Sequence, residues 1–108
     1  MNGKLGLFLL SSLLIWSADA QSVELKEIKS IGCHLNDDTC YVTVSGTAVG
    51  PSQCNSKSLR WRKDASVSGK ETLSLLTTAF VTQKKVHFNI VESCIGNYPT
   101  FNYFSVTQ

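Results

Sequence analysis

Two short segments combine aromatic rings with cationic or amide groups, and they are the strongest candidates for ligand contact. Residues 60–63 read RWRK and residues 96–99 read GNYP. Trp, Tyr and Arg are enriched in protein interfaces, and an aromatic face beside hydrogen-bonding groups also suits a sugar ring. We therefore expect these residues to contact a ligand: Arg60, Trp61, Arg62, Asn97 and Tyr98. The stronger alternative for Trp61 is a place in the core. For Tyr98 it is a structural role in the turn predicted at residues 96–99.

The other cluster of titratable residues is His34, Asp37 and Asp38. It could serve as a metal site or an acid–base group, but a solvated turn between two strands is the better interpretation. A calcium loop needs further oxygen ligands at fixed offsets, and no Gly-x-Ser-x-Gly nucleophile motif occurs. His87 alternates with apolar neighbours and is expected at the surface. We expect no catalytic residue, no metal and no cofactor.

Four cysteines allow three disulfide pairings. Cys33 and Cys40 flank a turn-rich insert between two strand-like runs, so antiparallel strands would bring them face to face. Cys54 and Cys94 then pair with each other. A zinc site is the alternative, and it is disfavoured because no C-x-x-C spacing is present.

The amino terminus predicts export. Lys4 precedes an apolar run from Leu5 to Trp16, and Ala18-Asp19-Ala20 suits signal peptidase. We expect residues 1–20 to be a signal peptide and residues 21–108 a single secreted or periplasmic domain, where cysteines oxidise. The run is short for a bilayer span, which takes about 20 residues, and no second one exists, so no membrane insertion is expected. A net charge of +2 argues against nucleic acid as a partner.

Hydrophobic periodicity predicts five strands and one helix. Alternating, β-branched or aromatic runs occur at residues 22–31, 40–49, 58–62, 86–91 and 101–106. Between the third and fourth, Ser68 to Gln83 has one apolar face formed by Leu73, Leu76, Ala79 and Phe80, with Leu75 beside it. Ser68 and Glu71 have capping-box spacing, and Lys84 and Lys85 would suit the negative end of the helix dipole.

This element order predicts a small β-rich (α+β) domain. Five strands with a helix between the third and fourth are typical of an OB-like barrel, here with two disulfides. The helix would then cover one end of that barrel. An open α+β sheet with the helix on one face is the alternative.

Segments 61–65, 68–70, 73–79, 85–88 and 93–100 resemble a group of small exported proteins of Gram-negative bacteria, most without assigned function. The most distinctive element is Cys-x-Gly-x-Tyr-Pro at 94–99. More distantly, the layout is similar to the B subunits of AB5 toxins of the pertussis and subtilase-cytotoxin type. That resemblance implies a disulfide-bonded OB fold, a pentameric homo-oligomer and binding of cell-surface glycans.

These observations favour an exported, non-enzymatic, toxin-B-subunit-like binding module for a glycan or a protein. The alternative is a small secreted enzyme inhibitor or hydrolase.

Overall fold

The computed structural model describes residues 22–108, which form five strands and one α-helix. The signal peptide predicted at residues 1–20 lies outside the described residues. The elements are β1 (Ser22–Cys33), β2 (Thr39–Val44), β3 (Ser58–Arg62), α1 (Gly69–Thr82), β4 (Lys85–Ile95) and β5 (Tyr98–Thr107). A short 3-10 helix (Ser52–Cys54) lies between β2 and β3. The predicted element order is confirmed, although β2 is shorter and β4 and β5 are longer than predicted.

The strands pair in the closed order β1-β2-β3-β5-β4. The first half of β1 pairs antiparallel with β4 and its second half with β2, and the register shifts between Ile28 and Ser30. The pairing of β3 with β5 is parallel, at Arg60 and Thr100, whereas β4 and β5 form an antiparallel hairpin. Each strand therefore has two neighbours, and the helix lies between β3 and β4 in the chain.

The hydrophobic core lies inside this ring of strands because each strand alternates buried and outward-facing residues. Its largest fully buried side chains include Phe88, Leu59, Leu76, Val42, Val44 and Val86. Phe88 packs edge-on against Phe101, with the ring centroids 5.0 Å apart. Such edge-to-face aromatic pairs add to the stabilisation that area burial provides.

Helix α1 matches the predicted bounds, with Ser68 and Gln83 as its flanking residues. Leu76 is fully buried and Leu73 packs against the core, as the apolar periodicity predicts. Ala79, predicted on the same face, is also buried at 1%, but Phe80 does not join them: it is 36% exposed, near the end of the helix. The prediction that Phe80 belongs to the covering face is therefore wrong.

The capping box predicted at the start of the helix is also wrong. Ser68 makes no side-chain cap; its carbonyl oxygen instead accepts bonds from the Thr72 N–H at 2.9 Å and the Thr72 Oγ1 at 2.7 Å. At the other end Gln83 takes a left-handed conformation, with φ 58°, and ends the helix before the two lysines. Lys84 then donates its backbone N–H to the Ala79 oxygen at 3.0 Å.

The two disulfides are the predicted ones, Cys33–Cys40 and Cys54–Cys94. The first joins residues that are direct partners in the β1–β2 pairing, which is the hairpin geometry expected from the sequence. The second ties the short 3-10 helix to β4. Within residues 22–108 no cysteine is free, and no helix there is long and apolar enough to cross a membrane.

Candidate functional site

An outward-facing row of residues crosses four strands. Gly32 of β1 pairs with Tyr41 of β2, Tyr41 pairs with Arg60 of β3, and Arg60 pairs with Thr100 of β5. Directly opposed residues project to the same side of a sheet. A short hydrogen bond holds the β3–β5 pair together: Thr100 Oγ1 donates to the Arg60 carbonyl oxygen at 2.6 Å. The row therefore places Tyr41 and Arg60 side by side on the outer surface.

The side chain of Arg60 lies between two tyrosines. Its guanidinium carbon is 3.6 Å from the centroid of the Tyr98 ring and 5.3 Å from that of Tyr41. Tyr98 reaches this position because it precedes Thr100 by two residues on β5 and shares its face. A cation over a tyrosine face is stabilised by the ring quadrupole within about 6 Å. Both tyrosines therefore hold the guanidinium.

The residue His34, in the loop between β1 and β2, completes the group. Its Nε2 lies 3.5 Å from Arg60 Nη1, and its ring centroid is 6.2 Å from that of Tyr41. We call His34, Tyr41, Arg60 and Tyr98 the Arg60 cluster. Its members come from the β1–β2 loop, from β2, from β3 and from the start of β5.

The loop that carries His34 is held at several points. The Cys33–Cys40 disulfide closes its base, and His34 N–H donates to the Thr39 oxygen at 2.9 Å. Asp37 Oδ1 accepts the Thr39 N–H at 2.9 Å, and its two carboxylate oxygens lie 3.1 and 3.2 Å from His34 Nδ1. The backbone hydrogen bond from Thr39, followed by the bond from His34, lowers the pKa of Asp37 below its usual value.

The guanidinium of Arg60 has unused hydrogen-bonding capacity. Its Nε donates to Ser58 Oγ at 3.4 Å and its Nη1 reaches His34 at 3.5 Å, both long for N–H donors. Within residues 22–108 its Nη2 makes no hydrogen bond. Because a guanidinium carries five N–H donors, the cluster can offer donors to an acceptor-rich ligand.

The structure brings some of the predicted contact residues together and separates one. Arg60 and Tyr98 are in direct contact. Asn97 is exposed in the two-residue turn beside Tyr98, and this turn is shorter than predicted because Tyr98 already belongs to β5. Arg62 projects from the same side of β3 as Arg60, where its Nη1 donates to Asp38 Oδ1 at 3.1 Å.

The prediction that Trp61 contacts a ligand does not fit this geometry. Neighbouring residues of a strand point to opposite sides, so Trp61 faces inward beside Arg60. Its side chain is 4% exposed, its indole N–H donates to the Gly69 oxygen at 3.0 Å, and its ring packs edge-on against Phe101. Trp61 therefore belongs to the core, which is the stronger alternative from the sequence.

Sequence reasoning missed Tyr41 and assigned His34 to a solvated turn. Tyr41 stands in an alternating strand, so its outward direction is readable once its neighbours are placed in the core. Its partner Arg60, however, depends on the β2–β3 register. The ring of Tyr41 also needs Gly32, since a Cβ there would lie 2.7 Å from the tyrosine hydroxyl.

Comparison with known proteins places this chain in no family: no family model, no curated protein and no solved structure matches it. Residues 22–108 contain no group of three or more His, Cys, Asp or Glu side chains that could hold a metal ion.

Proposed function

We propose that this chain is an exported, non-enzymatic binding module on an OB-like barrel and that the Arg60 cluster contacts a glycan. The barrel assignment draws on the closed pairing order of the five strands, the parallel β3–β5 contact and the helix between β3 and β4. These are features of the five-stranded Greek-key barrel.

The position of the Arg60 cluster on the strands and loops is the observation that supports a ligand site there. OB folds bind oligosaccharides and oligonucleotides at the face of their second and third strands and at the loops that join strands 1–2 and 4–5. The Arg60 cluster combines those regions: Tyr41 and Arg60 come from β2 and β3, His34 from the first loop, and Tyr98 from the end of the last turn. This match between the cluster and the ligand-binding regions of OB folds supports the proposed site.

Charge pairing favours a sugar over a nucleic acid. Binding a phosphate backbone requires several cations that are free to replace counterions. Here Arg62 is paired with Asp38, and Asp37 lies beside His34. The surface around Arg60 is therefore mixed in charge, and tyrosine rings with hydroxyl, amide and guanidinium groups suit the C–H faces and hydroxyls of a glycan.

Export and absence of catalysis belong to the same proposal. Two disulfides in a domain of this size are typical of an oxidising compartment outside the cytoplasm. His34 could act as a base only through a free ring nitrogen, but its Nδ1 faces Asp37 and its Nε2 faces Arg60. The Arg60 guanidinium thus lies where a substrate proton would have to approach Nε2.

A protein partner is the second candidate, and a different surface favours it. Leu75 of α1 and Val106 of β5 are 52% and 40% exposed. Leu75 and Val106 line the same groove between the helix and β5. Exposed apolar patches mark association sites, so a homo-oligomer of the toxin-B-subunit kind, or a target enzyme of an inhibitor, would use this side. Light scattering on the oxidised protein separates a monomer from a ring.

A glycan array with the oxidised protein tests the main proposal, with binding to a restricted set of glycans as the expected result. Arg60→Ala should abolish that binding. Arg60→Lys should weaken it strongly, because an ammonium keeps the charge but not the planar stack on Tyr98. Lys70→Ala is the charge control, since Lys70 is exposed on α1.

Two results would contradict the proposal. One is an array on which the folded protein binds no glycan. The other is glycan binding that Arg60→Ala leaves intact, which would place the sugar elsewhere on the molecule.

A further inference from the structure

The loop between β1 and β2 contains a carboxylate, Asp37, that contacts the Arg60 cluster through His34. Asp37 is a hydrogen-bond acceptor when ionised, and both of its oxygens lie within 3.2 Å of His34 Nδ1. For these contacts to be hydrogen bonds, Nδ1 must carry a proton. The opposite ring nitrogen, Nε2, lies 3.5 Å from Arg60 Nη1.

Arg60 restricts the other side of the imidazole. A guanidinium has donors and no acceptor, so Nε2 satisfies Arg60 only when it has a free lone pair. A doubly protonated ring would satisfy Asp37 but would turn an N–H toward a cation. The ring that satisfies both neighbours is neutral, with its hydrogen on Nδ1.

We propose that Asp37 is a positioning residue: it selects the Nδ1–H tautomer of His34, and this tautomer orients the guanidinium of Arg60 against Tyr98. The order of contacts is Asp37 carboxylate, His34 imidazole, Arg60 guanidinium and Tyr98 ring. The backbone bond from Thr39 to Asp37 Oδ1 at 2.9 Å holds the first member in place. The role of this series of contacts in ligand binding rests on the proposed function. The contacts themselves form in the protein without ligand.

The neighbouring Asp38 offers a matched control. Its carboxylate accepts no hydrogen bond from the histidine; it accepts one from Arg62 Nη1 at 3.1 Å. Asp37→Asn and Asp38→Asn therefore remove the same charge from adjacent residues of one loop. In Asp37→Asn the amide oxygen can still accept the Thr39 N–H, so the loop keeps its backbone bond. The amide N–H group then replaces Oδ2, which lies 3.2 Å from Nδ1, and as a donor it favours a free lone pair on that nitrogen.

The test is nuclear magnetic resonance of ligand-free protein with 15N-labelled histidine, read through the two-bond proton–nitrogen couplings of the ring. At neutral pH we expect His34 to show a protonated Nδ1 and an unprotonated Nε2. His87 is the internal reference, because the chain contains two histidines. Asp37→Asn should move the hydrogen to Nε2, the tautomer that free histidine favours, and Asp38→Asn should not.

The side chain of Arg60 gives a second readout. The δ protons of Arg60 should show ring-current shifts from Tyr98 in the wild type and in Asp38→Asn, and smaller shifts in Asp37→Asn. The inference is overturned if wild-type His34 carries its hydrogen on Nε2, or if the two aspartate variants give the same spectrum. A glycan array without binding would reject the proposed function and leave this result intact.

Discussion

Replacing Leu76 by alanine tests the packing of α1 more sharply than any other single change, because Leu75 provides the matched control. The two leucines are neighbours in the middle of the same helix, so both replacements change helix propensity by the same amount. Leu76 is 0% exposed and belongs to the core, whereas Leu75 is 52% exposed. Any difference between the two variants therefore measures burial.

The expected magnitudes follow from that burial. Truncating a fully buried leucine removes its transfer free energy and leaves a cavity, which together cost about 2–5 kcal/mol. Leu75→Ala loses part of a half-exposed contact with no enclosed cavity and should cost about 1 kcal/mol or less. In a domain of this size 1 kcal/mol lowers Tm by about 4–8 °C. Leu76→Ala should therefore lower Tm by about 8 °C or more.

Urea unfolding of the oxidised protein, followed by circular dichroism and by the fluorescence of the buried Trp61, measures both free energies. Similar m-values in the two variants would show that the same surface is exposed on unfolding. If Leu76→Ala costs no more than Leu75→Ala, the helix does not cover the core with the face that contains Leu76. The arrangement of the strands beneath it would then also be in doubt.

Three further predictions concern the supports of the fold and the site. Gly69→Ala should destabilise the protein although alanine favours helices by about 1 kcal/mol, because a Cβ there would meet the carbonyl oxygens at the end of β3; a more stable variant in urea unfolding would contradict this. Since folding lowers the pKa of Asp37, its contribution to stability is present at neutral pH and is lost as acid titrates the folded carboxyl; acid unfolding of Asp37→Asn should lack that part of the pH dependence. Replacing Cys54 and Cys94 by serine should cost about 4 kcal/mol, against about 2 kcal/mol for the other disulfide, because the bridges close 40-residue and 7-residue separations; equal costs in unfolding would refute the loop-length argument.

Local patterns in the chain were sufficient for the elements and for the Cys33–Cys40 disulfide, and Cys54–Cys94 followed by elimination. Alternation of apolar residues locates the strands, and the third strand at Ser58–Arg62 has the bounds that the sequence predicts. The spacing of Cys33 and Cys40 around a turn determines their pairing, since two strands joined by a short loop must lie side by side. These inferences succeed because each depends on residues close together in the chain.

The helix ends show where local patterns fail. The Ser68 and Glu71 spacing predicts a capping box, yet the Ser68 carbonyl, not its side chain, makes the bonds at this end. Gly69 and Trp61 explain the difference: the first turn is packed against the end of β3, and the indole N–H binds the Gly69 carbonyl at 3.0 Å. Tertiary contacts therefore determine the geometry of this terminus.

The composition of the candidate site was decided by the tertiary structure. From the sequence, Arg60, Trp61 and Arg62 are one cationic aromatic segment, and the pleat of β3 divides it between the surface and the core. Tyr98 lies 38 positions after Arg60 in the chain, and the two meet only because β5 crosses the molecule to pair with β3. Residue types can predict that arginine and tyrosine bind a ligand, but long-range strand pairing alone determines which of them share a surface.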